Sequence, residues 1–224
     1  MLPEGIEKIG RGVFEDCSKL EEIYLPDSIR YIGEGAFANC ESLKINKLPD
    51  SLEFLGGGAL SGCNQLTELV FPSHPVYVED QAYAFGKGLK KVVISDVLYS
   101  DGCIIHEDDT VETLIYKGNS VIRSLFFFGC TKLKHVTLGE ETRIISEGAF
   151  LDCSALEEIT LPAGTRVIES CAFEGCVKLK EIVIPDGILK IADDAFKGCI
   201  NTKFIYKGKS YSYAELPKLT ASLI

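Results

Sequence analysis

The sequence has no uninterrupted apolar run long enough to cross a membrane as a helix. Its longest candidates, SVIRSLFFFGC and LKKVVISDVLY, are short and carry charge. The opening, MLPEGIEKIG, lacks a basic segment ahead of an apolar core and is not a secretory signal peptide. On that ground the chain is either cytosolic or targeted by a segment outside it. Positive charge is also scarce: 23 Lys and Arg face 33 Asp and Glu, a formal charge of −10. A surface of that sign is repelled by phosphate backbones and by anionic lipid, so neither nucleic acid nor membrane insertion is expected. Only three histidines occur, His74, His106 and His135, and they are scattered. There is no C-xx-C pair, so no zinc site is expected. The GGG at 56–58 lacks the Lys-Ser/Thr partner of a phosphate loop, and HEDD at 106–109 lacks the spaced ligands and glycine of a calcium loop. These absences leave no catalytic, cofactor or metal residues to assign, and no enzyme is expected.

What is present is periodic. Cys17, Cys40 and Cys63, then Cys130, Cys153, Cys176 and Cys199, follow one another at 23-residue steps within each run. Three residues before each stands Phe14, Phe37, Leu60, Phe127, Phe150, Phe173 or Phe196. Three residues after stands Leu20, Leu43, Leu66, Leu133, Leu156 or Leu179. Ile23 with Leu25, Leu69 with Phe71, Val136 with Leu138, Ile159 with Leu161 and Ile182 with Ile184 then alternate, and a proline often closes the segment. A copy without its cysteine centres on Gly86, with Tyr83, Leu89, Val92 and Ile94 in the remaining slots. An eighth unit follows Cys199 in weaker register, through Thr202 and Ile205.

The LxxIxLP part of each unit alternates as a short strand. The part ending in EGAFANC is expected to be an irregular or helical turn, with Gly33 permitting the bend. A 23-residue unit cannot bury its apolar face alone, but stacked copies bury it in one column, so each slot sits on its own copy. Stacked cysteine side chains point in parallel, which favours packed free thiols over disulfides. Cys103 and Cys171 fall outside that slot, and Cys171 is placed to approach a neighbouring coil.

The spacing F-xx-C-xx-L-xx-I-x-L-P, followed by I-xx-I-G-xx-A-F, is similar to the BspA-type leucine-rich repeat over residues 2–206. The resemblance implies a β-rich repeat solenoid, a right-handed coil of about eight 23-residue units with one irregular, hairpin-bearing coil. It divides the chain into a first array (1–94), an interruption (95–120), a second array (121–206) and a C-terminal cap or tail (207–224). In the interruption, Val97 to Tyr99, Cys103 to His106 and Thr113 to Tyr116 are strand-like, with turns at Asp101-Gly102 and Asp108-Asp109. IYKGNS at 115–120 returns as IYKGKS at 205–210, as an end-of-array element used twice. Leu2-Pro3 precedes Cys17 as Leu25-Pro26 precedes Cys40, so the chain is expected to start inside a repeat, as a slice of a longer solenoid. The resemblance further implies a bacterial surface or secreted protein that adheres to a host extracellular or cell-surface protein.

The expected binding surface is the concave strand face, read from residues that alternate with the inward ones. In the first array these are Glu22, Tyr24, Ile45, Lys47, Glu68, Val70, Lys91 and Val93. Here Tyr24, Ile45, Val70 and Val93 would form an apolar strip edged by charge. The matching second-array positions include His135, Thr137, Glu158 and Thr160. The competing expectations are a rigid spacer within a larger surface protein and a cytosolic interaction scaffold.

Overall fold

The computed structural model describes residues 2–79, 87–95, 97–99, 109–221 and 223. The Gly86-centred half-copy with Tyr83, the strand-like piece from Cys103 to His106, the Asp101-Gly102 turn and most of HEDD lie outside the described residues. The chain forms two compact units, Met1–Ile104 and Ile105–Ile224. Each is a parallel-strand β-solenoid of coils about 23 residues long, and the chain holds about eight such coils.

The first unit contains β1 (Lys8–Ile9), β2 (Tyr31–Ile32), β3 (Phe54–Leu55), β4 (Glu68–Val70), β5 (Val76–Val78), β6 (Lys91–Ile94) and β7 (Val97–Tyr99). Strands β1, β2, β3, β5 and β7 pair in that order, all parallel, while β4 pairs with β6. The second unit contains β8 (Thr113–Tyr116), β9 (Val121–Ile122), β10 (His135–Leu138), β11 (Ile144–Ile145), β12 (Glu158–Thr160) and β13 (Val167–Ile168). It continues with β14 (Glu181–Val183), β15 (Lys190–Ile191), β16 (Lys203–Tyr206), β17 (Lys209–Tyr211) and a closing helix α1 (Leu216–Ala221). Strands β8, β10 and β12 form one parallel ladder and β9, β11, β13 and β15 another. Strand β14 pairs with β16, which turns back antiparallel onto β17.

Most described coils therefore carry two short strands where the sequence pattern pointed to one. The second comes from segments such as RYIG and RVIE. Its first residue faces outward and its second is buried, as in Tyr31 and Ile32 or Val167 and Ile168. Two residues suffice because the partners above and below repeat the same backbone course. Residues 22–24, expected to form a strand, do not; Ile23 and Leu25 stay half-exposed on a coil packed from one side only.

The recurring slots become columns. In the second unit Phe127, Phe150, Phe173 and Phe196 stack with ring centroids 5.2, 5.3 and 5.1 Å apart. In the first, Phe14 stacks on Phe37 at 5.1 Å. Such stacking adds about 0.5–1.5 kcal/mol per pair to ordinary burial. The cysteine beside each ring is specific for a reason beyond size. Its S–H donates to the phenylalanine carbonyl of the coil before, from Cys40 to Phe14 (3.0 Å), Cys153 to Phe127 (3.1 Å) and Cys176 to Phe150 (3.2 Å). The described cysteines are free thiols, buried except for Cys17 and Cys171. Burial pushes the Cys63 thiol up to about 12 and Cys199 to about 11, so both stay protonated and inert.

Backbone geometry accounts for the glycine triplet. A Cβ on Gly56 would lie 2.4 Å from the Glu34 nitrogen of the preceding coil, and Gly58 has φ 62°. The residue before each cysteine of the repeating slot also takes positive φ, which is why only Asp16, Asn39, Asp152 or glycine occurs there among the described coils.

Candidate functional site

The strand ladder of the first unit contains a register slip. In most coils the buried strand residue follows the leucine by three, as Leu69 follows Leu66 and Ile159 follows Leu156. In the second coil that position is Asn46. Burying its amide there without partners would be costly, so the chain shifts by one residue: Ile45 turns inward, 8% exposed, and Asn46 turns out. The shift leaves no regular strand, only an isolated bridge from Lys47 to Val70. Against the next coil, Leu48 donates to Val70 O and Val70 to Asn46 O, both at 2.9 Å. Toward the first coil, Lys44 donates to Glu21 O at 2.9 Å, and among the described residues no backbone hydrogen bond links 45–48 with 22–25. A cleft of about 470 Å³ opens there, lined by Glu22, Tyr24, Ile45, Asn46, Lys47 and Pro49.

The structure thus brings four of the eight expected residues, Glu22, Tyr24, Ile45 and Lys47, to one cleft. The other four form the adjoining ladder, with Glu68 opposite Lys91 and Val70 opposite Val93. Two assignments need correction. Ile45 and Val93 are each only 8% exposed, so they wall the surface rather than offer apolar contacts. Ile45 is buried by the slip, and Val93 by lying in register along Val70. The exposed apolar group is Tyr24, 51% accessible, with Val70 half-buried.

Electrostatics on this face are largely satisfied locally. Lys91 pairs with Glu68 at 2.8 Å and Lys47 with Asp50 at 2.7 Å. The hydrogen bond to Asp50 raises the Lys47 pKa. The nearby Glu4 carboxylate raises the Tyr24 hydroxyl above its ordinary value, so at neutral pH Tyr24 offers a ring and a proton to donate. On the second unit the expected alternation holds: His135, Thr137, Glu158 and Thr160 face outward, and His135 Nδ1 lies 3.4 Å from Glu158.

One feature escaped the sequence reading, and a second was foreseen only in part. Tyr31, Phe54 and Tyr77 stack along the outer side of the first unit's other sheet, with centroids 4.4 and 5.5 Å apart and the Lys8 ammonium 4.4 Å over Tyr31. Aromatics recurring at 23-residue steps were the available signal. Because each ring covers its neighbour's face, the ladder presents edges outward. The second feature is Cys171, at φ 53° in a slot that holds glycine in most described coils. As expected it meets the next coil: Asp194 accepts from the Cys171 amide at 3.3 Å, from the thiol at 3.5 Å and from Ser170 Oγ at 2.7 Å. Hydrogen bonding with Glu174 raises the thiol pKa, which keeps it a poor nucleophile. Among the described residues no group of three or more His, Cys, Asp or Glu side chains is placed to hold a metal ion.

The sequence profile of the BspA type leucine-rich repeat region matches residues 1–102 and 109–215, in six copies. No curated protein matches the chain. Among solved structures, a leucine-rich repeat protein from Bacteroides ovatus is 26% identical with a TM-score of 0.54, covering 91% of this chain and 65% of its own. A leucine-rich repeat protein from Eubacterium ventriosum is 19% identical with a TM-score of 0.60, covering 80% of this chain and 58% of its own. The second likeness bears on the fold alone. With the paired ladders, the phenylalanine and cysteine columns and the profile in agreement, the chain belongs to the BspA-type leucine-rich repeat family.

Proposed function

We propose that this chain is a non-enzymatic protein-interaction module of a bacterial surface or secreted protein, adhering to a host extracellular or cell-surface protein through the strand face of its first unit. The observation that carries this reading is the cleft at the register slip, where Tyr24 stands exposed beside Asn46 and Lys47. An aromatic anchor with hydrogen-bonding groups beside it is the composition of a binding hot spot. The stacked core holds that surface rigid before any partner arrives, which lowers the ordering cost of association. Among the described residues no helix is long and apolar enough to cross a membrane. The surface location rests on family membership, and the acidic charge of −10 disfavours nucleic acid as the partner.

Calorimetric titration of a captured partner tests the reading. Tyr24→Ala should weaken binding by about 1–2 kcal/mol with an unchanged melting temperature. Arg30→Glu, on the outer side of the coil, should bind as wild type. The reverse result would move the interface to the outer side and refute the proposal.

A further inference from the structure

The second unit ends in an unfinished ladder. Each strand of the β9–β11–β13–β15 sheet receives the next through three amides. Arg166 and Val167 donate to Arg143 O, at 2.7 and 3.2 Å, and Glu169 donates to Ile145 O at 2.9 Å. Leu189, Lys190 and Ala192 repeat this against Arg166 O and Ile168 O. The corresponding acceptors on β15 are Leu189 O and Ile191 O, and among the described residues nothing donates to either. Beside this edge lies a cleft of about 720 Å³, walled by Leu189, Ile191, Tyr213, Leu216, Pro217 and Thr220. Leu189 is 67% exposed, a large apolar group left at the rim.

We propose that this edge is a second binding site, one that accepts an extended peptide as an added parallel strand. Its occupant is a segment with β-branched residues three apart. The pattern is set by the ladder itself. The buried slots of successive coils are Thr142 and Ile145, Thr165 and Ile168, Ile188 and Ile191. A peptide in register continues them, its second β-branched side chain lying over Ile191 and its amides reaching Leu189 O and Ile191 O. Main-chain bonds then supply affinity and the alternate side-chain slots supply selectivity. The helix decides against a further repeat or a second copy of the chain. Helix α1 buries Leu216 and Leu219 over the end of the unit, so a whole coil cannot stack there, whereas a single strand fits between helix and edge.

The test uses the full chain and a fluorescent peptide copying its own residues 163–170, followed by anisotropy. A saturable isotherm with a Kd below about 1 mM is expected. N-methylation at the position of Glu169, which removes the amide aimed at Ile191 O, should weaken binding by about tenfold or more. N-methylation at the position of Ile168, whose amide points away from β15, should not. Leu189→Lys and Ala214→Lys, both exposed at the cleft, should each weaken binding without lowering the melting temperature. No saturation by about 1 mM would overturn the proposal. So would equal loss from both methylated peptides, or self-association of the chain that the peptide competes away.

Discussion

The two units are built from one repeat, yet they keep to it differently. In the second, four phenylalanines stack without a gap, and β8, β10 and β12 pair residue for residue. In the first, a leucine stands at position 60 of the phenylalanine slot, the second coil slips by one residue, and Phe14 remains partly exposed. On the strand face the regular unit offers paired strands, its cleft lying instead beside the terminal edge of β15, whereas the irregular unit opens a cleft on that face itself. In the first unit the departure of one coil from its copies opens a surface that faithful stacking would have paired.

The largest expected effect breaks the regular column. Phe150→Ala, at a fully buried position between two stacked rings, should lower stability by about 3–5 kcal/mol in urea melts. Phe14→Ala, stacked on one side and half-exposed, should cost about 1–2 kcal/mol. Equal losses would erase the contrast between the units.

The buried thiols give the next effect. Cys63 and Cys199 are raised from an ordinary 9.0 to about 12 and about 11 by burial, and burial raises Cys176 as well. The folded state therefore holds protons that the unfolded chain releases once pH passes about 9. Their contribution is fully present below that pH and is lost as pH rises toward 11–12. Urea midpoints measured from pH 8 to pH 11 should fall, and Cys63→Ala should flatten the decline. A midpoint that rises over this window would show the thiols are not buried as described.

Register repair sharpens the comparison further. Ile45→Glu with Asn46→Ile restores the spacing of the other coils and should extend the ladder across 45–47. We expect a gain of about 1 kcal/mol and slower amide exchange at residue 46. Destabilisation would mean the slip is not caused by Asn46. A comparable effect lies in the regular unit. Thr142 and Thr165 bury hydroxyls with no hydrogen-bond partner among the described residues, where Ile29, Leu52 and Ile188 fill the same slot elsewhere. Thr165→Val should raise stability by about 1 kcal/mol, read as an increased melting temperature.

Much of this was legible from spacing. Phe127, Phe150, Phe173 and Phe196 announce a stacked column because identical residues at a fixed step need identical surroundings. The outward set was legible wherever a strand kept its alternation, as at His135 and Thr137. It failed at Ile45, because counting from Cys40 places Asn46 inward, and only the cost of burying an amide moves the register. The other strand of the coil was hidden by its length of two or three residues, too short for any alternation to show. The open edge of β15 was invisible for another reason: it depends on where α1 lies, not on any residue in the edge itself.

The central claim is that the irregular face of the first unit is the interface. A photo-cross-linking amino acid placed at position 24, and in a separate variant at position 30, tests it most directly. Each variant is exposed to host extracellular protein and its adducts are identified by mass spectrometry. The account predicts covalent adducts from position 24 and none from position 30. Adducts from position 30 alone would contradict it.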